Sequence, residues 1–591
     1  MKNKTSPAVI YAAALVLAAC SLLYELLIAQ TLAALAANTV VWYSVTIGIY
    51  LAAMGTGAIL HYRFAAGNLW LRLFRVELLL SCIGAAAVPI LHFAHTIGLL
   101  FLLDEAILPS SIIFFGSAFV LIVAIGILTG FELPLLIDLG NAAADETRVT
   151  NRVLAADYMG SLLGGLLFPL ALVPFFSLIV IGLSTAAVNL VVALIALRWF
   201  LPDNGERTSR FALGGTIASA ILAALIFAQP IDRYFVKNYY FFEDYAGDWS
   251  GLIASLQNVE DVFRERSPYQ RIDIVHDENG YESDVVIDFY SSKWLENPDQ
   301  PRNHLLFLNG DFQVTANYEE YYHEFFAHVP IAMHRSSPRQ VLVMGAGDGL
   351  LIRELIKYPD IERIVHVDLD HKLIDLAQHH PVLLGMNEGA LDDPRVETLI
   401  DDAYRFIRNT EDTFDAIFLD FPLAEDYNLA KLYSREFYHF VRQRLAKDGF
   451  MVFDAPRVKN PTFEREVYLN TVMAAGFDYV RPYVSRIERV NPDALAFLEA
   501  EGLTNRDSRF LLIRHSHTLQ QGFVIGRNSK PRGQPVLDPR VKMHVLNEER
   551  LRLTLKRKRI PLPDGVERDK VNSIFKPTLP DGYIWRIRSR H

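Results

Sequence analysis

The chain has 591 residues, 51% of them hydrophobic, and a formal net charge of −10. That length allows several domains, and the acidic balance argues against a nucleic-acid partner. Its two cysteines, Cys20 and Cys82, both lie in apolar stretches, so neither a disulfide framework nor a metal set is expected.

Most of the hydrophobic excess falls in the first 230 residues. Seven apolar runs there, at about 8–34, 41–62, 75–94, 112–136, 153–173, 177–199 and 211–228, approach the ~20 residues needed to cross a bilayer. The first is too long for a signal peptide and is followed at once by another span. Lys2 and Lys4, then Arg63, Arg72 and Arg75, then Arg148 and Arg152, then Arg198, Arg207 and Arg210 fall on alternate loops, which places the N-terminus in the cytoplasm. Seven crossings would leave the rest of the chain on the opposite face, in conflict with the cytoplasmic chemistry read below. The short apolar stretch 97–103, ahead of Asp104 and Glu105, is a candidate for a broken helix that changes the count. Glu25, Glu132 and Asp157 fall in or at the ends of spans. There an acid either bonds between helices or lines a cation-attracting or proton-linked pocket. Gly160, Gly164 and Gly165 fit close helix packing.

An aromatic-rich segment, 234–249, follows and suits a membrane interface. Short strands are then expected at 271–276, 284–290 and 304–308, with a turn at Glu278-Asn279-Gly280. Alternating strands and helices come next, with strands expected at 341–344, 364–367, 396–400, 416–419, 450–453, 510–513 and 523–525. The last stretch is charged and Pro-containing, with one helix near 546–555. Its basic cluster, 556–559, reads as a solvated face or a lipid-headgroup contact.

The expected architecture is therefore a multi-pass α-helical membrane domain (1–230), an interfacial linker (231–265), a small β-region (266–335), an α/β Rossmann-like domain of the S-adenosylmethionine-dependent transferase type (336–526) and a C-terminal extension (527–591). The expected location is the inner cell membrane, with the bilayer as a partner and oligomeric state open.

The run VLVMGAGDG, from Val341 to Gly349, is an apolar strand entering a glycine turn. Gly345, Gly347 and Gly349 let a ligand approach the backbone, and Asp368 lies where such folds hold a ribose. Asp348 inside the turn would repel a pyrophosphate but accept an ammonium or sulfonium, which points to an S-adenosyl ligand. Asp348, Asp368, Asp402 and Asp420 all follow expected strands, where a doubly wound sheet presents side chains to its crevice.

These motifs resemble the polyamine aminopropyltransferases, or spermidine synthases, in their membrane-fused bacterial form. SPYQRI at Ser267, LFLNGDFQ at Leu306, YHE at Tyr322, GAGDG at Gly345, VDLD at Val367, DDPRVE at Asp392, IDDA at Ile400 and LYSREFY at Leu432 carry the likeness. FELPLL at Phe131 and DYMGSLLGGLLFP at Asp157 extend it into the helical half. The resemblance implies transfer of an aminopropyl group from decarboxylated S-adenosylmethionine, a co-substrate rather than a bound cofactor, to putrescine or a related amine, releasing 5'-methylthioadenosine. It implies that Gln270, Gly345, Gly347, Asp348, Asp368, Asp402 and Ala403 hold the donor, with Gln313 supporting the ribose. Tyr322, His323 and Asp348 would contact amine groups, and Asp420 would accept the proton.

The chain also departs from that pattern. Leu423 stands where the family places a second acid, with Glu425 and Asp426 as candidate replacements. Asp368 stands for a usual Glu, Tyr318 for an acid ahead of YHE, and Ala346 for a Gly. The lost acid keeps a second reading open, a non-catalytic polyamine or nucleoside sensor. A membrane S-adenosylmethionine methyltransferase is a third, although it leaves Gln270, Tyr322 and His323 idle.

Overall fold

The computed structural model describes residues 6–36, 39–63, 67–103, 107–143, 146–201, 205–245, 262–276, 304–334, 337–424, 427–455, 462–485, 521–531, 533–556 and 560–579. The chain forms two compact units, one built from Met1–Asn258 and the other from Val259–Ile584.

The first unit is helical: α1 (Pro7–Leu35), α2 (Thr39–Arg63), α3 (Leu69–Leu103), α4 (Ile107–Asn141), α5 (Glu146–Leu167), α6 (Leu178–Trp199), α7 (Gly205–Ile226) and α8 (Ala228–Tyr245). Among the described residues seven helices are long and apolar enough to cross a membrane, and α8 is not among them. The stretch 97–103 continues α3 and adds no span. Large apolar side chains such as Ile59, Val120, Leu170 and Ile226 remain exposed on this unit, as expected of faces that meet lipid. Glycines set the closest helix approaches. A Cβ on Gly160 would sit 2.0 Å from the Leu15 carbonyl oxygen, and one on Gly164 2.8 Å from that of Ala19, so α5 lies directly on the α1 backbone. Gly165 instead faces the Leu22 side chain. The aromatic segment after the spans is helical in α8, where Phe235 packs on His92 and Phe93, and Tyr239 stacks on His95.

The second unit opens with a four-stranded antiparallel sheet in the order β1-β2-β3-β4, formed by Phe263–Arg266, Arg271–His276, His304–Leu308 and Asp311–Thr315. The first of these strands begins inside the stretch expected to be linker. Helix α9 (Glu320–Ala332) leads into a seven-stranded sheet ordered β10-β11-β9-β8-β5-β6-β7. Its strands are β5 (Gln340–Gly345), β6 (Arg363–Asp368), β7 (Val396–Ile400), β8 (Phe414–Asp420), β9 (Leu445–Asp454), β10 (Tyr479–Val484) and β11 (Gly522–Arg527). Strands β7 through β9 in that order are parallel, and β10 and β11 close the edge antiparallel. The chain winds outward from β5 through β6 and β7, then returns to β8 on the other side. The switch point, where such sheets open a crevice, therefore lies between β5 and β8. The near-continuous Val, Leu, Ile and Phe content of these strands suits a sheet buried on both faces.

The segment after 527 packs onto this unit rather than trailing from it. Val541, Val545, Leu546 and Leu551 join the hydrophobic core beside α9. The Glu324 carboxylate on α9 accepts backbone N–H bonds from His544, Val545 and Leu546. The expected strands 284–290 and 510–513, and the turn at Glu278, lie outside the described residues.

Candidate active site

Strand register builds the site. Leu419 pairs with Phe453, Gly345 with Asp420, and Met344 with Val367. The next residues of those strands therefore form one row across the carboxyl edge: Asp454, Asp420, Gly345 and Asp368. Neighbours on parallel strands present their side chains to the same face.

Gly345 is required where it stands. Its φ of 84° is left-handed, and a Cβ there would fall 1.8 Å from the Asp420 carbonyl oxygen. The Ala346 N–H donates to that same oxygen at 3.3 Å, which ties the turn to the end of β8. Ala346 itself has φ of 60°, a left-handed position where a side chain costs about 1–2 kcal/mol. The substitution of Ala for the usual Gly is thus a strained one. At Gly347, a Cβ would lie 2.9 Å from Asp368 Oδ2, so the missing side chain lets that carboxylate lie over the turn. Asp348 Oδ1 accepts from the N–H of Leu350, the first residue of the short helix α10 (Leu350–Ile356), whose N-cap is Gly349.

Helix α9 supplies the other wall. Tyr322 Oη donates to Asp420 Oδ1 at 2.7 Å. The Tyr322 ring packs on Phe326 and Phe523. One turn back, Glu319 accepts from His323 Nδ1 at 2.9 Å and takes a two-pronged contact from Arg353, at 2.7 and 2.9 Å. Arg353 also pairs with Glu354, which bonds His328. This buried network fixes the pitch of α9 and hence the reach of Tyr322.

The electrostatics follow from four acids in a buried crevice. Burial, then the nearby Asp348 carboxylate, pushes Asp420 up to about 6, while His323 and the Tyr322 hydroxyl pull it back. Burial likewise carries Asp368 up to about 7, with Asp370, Asp348 and Asp420 adding like charge. Burial alone would lower His323, but Glu319, Asp348 and Asp420 outweigh it and raise the imidazole. Such a site is short of positive charge, and a cationic guest relieves it.

Gln270 is brought to the edge by a relay. Its Nε2 donates to Asp370 Oδ2 at 2.8 Å, Ser267 Oγ donates to the same oxygen at 2.7 Å, and the Asp370 N–H donates to Asp368 Oδ1 at 2.8 Å. The SPYQ motif is thereby fastened to the VDLD turn. Asp402 caps helix α11 (Ala403–Asn409) through the Arg405 N–H and pairs with Lys431 at 2.7 Å. Burial opposes its charge, but Lys431 and the backbone donors hold it below the usual carboxylate range. Ala403 opens that helix. Gln313 is not brought to the row: it is exposed and donates to the Asp311 carbonyl oxygen of its own strand. Among the described residues no His, Cys, Asp and Glu group has the form of a metal site.

Residues 319–501 match the spermine/spermidine synthase domain. A polyamine aminopropyltransferase of Oceanobacillus iheyensis is 30% identical over 461 residues, covering 78% of this chain and 79% of its own. The chain belongs to the polyamine aminopropyltransferase family. An aminopropyltransferase of Mycobacterium tuberculosis is 32% identical over 490 residues, covering 80% of this chain and 82% of the relative. Such coverage exceeds what the second unit holds, so the likeness reaches into the helical half. A crystal structure of spermidine synthase with the transition state analogue AdoDATO aligns with 50% of this chain and 85% of that one, at 20% identity and a TM-score of 0.38.

The aminopropyltransferase reading also brings out what the sequence motifs left unnamed. Asp454 ends β9 as Asp420 ends β8, in the same apolar-run-then-Asp pattern. Its charge is felt at both Tyr322 and Tyr483. Glu319, Arg353 and Asp370 were hidden because their roles depend on contacts 34 and 103 residues apart in the chain.

Proposed function

We propose that this aminopropyltransferase is an integral membrane enzyme that moves the aminopropyl group of decarboxylated S-adenosylmethionine to a diamine, releasing 5'-methylthioadenosine. The observation that carries the reading is the Tyr322–Asp420 hydrogen bond set beside Asp348 in a row of acids at the switch point. The donor's adenosine lies along Asp368, Asp402 and Ala403, with Gln270 steadying the turn through Asp370. Its sulfonium and aminopropyl ammonium face Asp348.

An acceptor ammonium is not a nucleophile until it loses a proton. Asp420, its carboxyl raised to about 6 and so ionised at neutral pH, takes that proton as the nitrogen lone pair attacks the propyl carbon next to sulfur. A C–N bond forms, the C–S bond breaks, and its electron pair converts the sulfonium to a neutral thioether. Tyr322 holds the Asp420 carboxylate in line for this transfer.

Leu423 leaves the second acceptor ammonium to another group. Glu425 and Asp426 lie outside the described residues. Asp454 is the better-supported partner, since it neighbours Asp420 on the next strand and faces the same aromatic wall of Tyr322 and Tyr483. We assign it the distal ammonium of a diamine.

A panel of mono-, di- and triamines incubated with the full-length protein and donor, with mass detection of products, tests the reading. Methylthioadenosine and an aminopropylated diamine are expected, and Asp420→Asn is expected to lower kcat by about 10²–10⁴-fold. Binding of the nucleoside with no turnover of any amine would replace it with the sensor, and transfer of the methyl label would replace it with the methyltransferase. Asp454→Asn is expected to raise KM for diamines about tenfold or more while sparing monoamine acceptors.

A further inference from the structure

The helical unit contains a polar centre that the transferase chemistry does not use. Glu77 on α3, Glu132 on α4, Asn189 on α6 and Tyr24 on α1 are 0%, 5%, 1% and 0% exposed. Asn189 Nδ2 donates to Glu77 Oε2 at 2.8 Å, and the two carboxyl groups lie close enough to interact directly. Tyr24 fills the notch left by Gly84, where a Cβ would fall 2.6 Å from its hydroxyl oxygen. Gly84 lies two turns beyond Glu77 on the same face of α3, so the hydroxyl approaches the acid pair from α1. Asn189 is eleven residues into a 22-residue helix, about 16 Å from either end, which sets the cluster near the middle of a span.

Four atoms of this cluster find no hydrogen-bond partner in the protein among the described residues: Glu77 Oε1, Glu132 Oε1, Asn189 Oδ1 and Tyr24 Oη. Three are pure acceptors. Buried acceptors are costly unless a donor meets them, and neither carboxylate is paired with Lys, Arg or His among the described residues. Arg75, the basic residue nearest Glu77 in the chain, is exposed. A guest that satisfies the three open acceptors must donate hydrogen bonds, and positive charge suits it to a site built around two carboxyl groups. A primary ammonium does both, with three N–H donors for three open acceptor oxygens.

We propose that Glu77, Glu132, Asn189 and Tyr24 form a binding site for the primary ammonium of an amine within the helical unit, separate from the transferase crevice. The site gives the helical half a role in handling the same chemical class that the second unit consumes.

The test is equilibrium binding of labelled 1,4-diaminobutane to the full-length protein in lipid nanodiscs. Two equivalents per chain are expected for the wild type and one for Glu77→Gln or Glu132→Gln, both close in shape to the native residue, with transferase kinetics within about twofold of wild type. Tyr24→Phe, which keeps the ring that fills the Gly84 notch, is expected to weaken the second equivalent about threefold to tenfold and guards against misfolding of the acid variants. The equivalent retained by the variants reports the transferase site, so loss of the second equivalent and failure of the transferase reading are separate results. Equal stoichiometry in wild type and both acid variants overturns the proposal, as does uptake of labelled sodium with no second equivalent of amine.

Discussion

At the scale of single residues, the functional tension is concentrated in Asp420. Its carboxyl is pushed up to about 6 by burial and by Asp348, and only the ionised form can accept a proton. Transfer measured as kcat/KM is therefore expected to fall about tenfold per pH unit below about 6. Tyr322 donates to the ionised form and so favours it. Tyr322→Phe removes that donor and moves the acid limb of the profile to higher pH, an outcome that a purely structural Tyr322 would not produce. Asp368 shares the effect, since its carboxyl also sits well above the ~3.9 of an unfolded aspartate. In the folded protein both groups hold protons that the unfolded chain releases, so their contribution to stability declines as pH rises from about 4 to 7. A bound cation offsets that decline.

At the scale of elements, the site depends on how closely β5 and β8 approach at the switch point. Gly345→Ala forces a side chain into a left-handed backbone and against the Asp420 carbonyl oxygen, and is expected to cost about 2–4 kcal/mol. Denaturant unfolding measures that loss. At conditions where the variant is folded, kcat is expected to fall more than tenfold because the end of β8 has moved. The elements themselves were legible to different degrees. Strands β5, β6 and β8 are apolar runs, and two of the four expected acids, Asp368 and Asp420, end strands as the pattern put them, while Asp348 lies in the glycine turn three residues beyond β5. Asp402 lies two residues beyond β7 as a helix cap. Strand β10 was missed because YVRPYV carries Arg481 and Pro482, which read as breakers. It tolerates proline because it is the outermost strand of its sheet. The hairpin strand β4 was missed because Asp311 and Gln313 break up its apolar residues, and its exposed positions, Phe312 and Gln313, are consecutive rather than alternate. Contact-made features such as the Asp370 relay leave no periodic trace at all.

At the scale of the whole molecule, hydropathy alone revealed the helical half, and seven helices of spanning length stand among the described residues. What it concealed is Glu77, which lies in a span yet passed unremarked because a single acid in an apolar run has no spacing to betray its partners. The basic loops predict a cytoplasmic N-terminus, while the donor chemistry asks the same of the second unit. We propose that the catalytic unit lies on the cytoplasmic face. Protease added to inverted vesicles is expected to release it, and protease added to right-side-out vesicles to leave it intact. The opposite pattern would uphold the loop charges and refute the placement.

The Glu324 carboxylate, held by backbone groups 220 to 222 residues further along the chain, has a bearing on synthesis. During translation α9 leaves the ribosome long before its three donors do. Until residue 546 emerges, the helix that carries Tyr322 must keep an acid meant for the interior in contact with water, and so cannot settle against the sheet. A ribosome stalled before that point would therefore carry an unfinished crevice. The crevice can therefore be completed only once the segment that follows its last strand has been made.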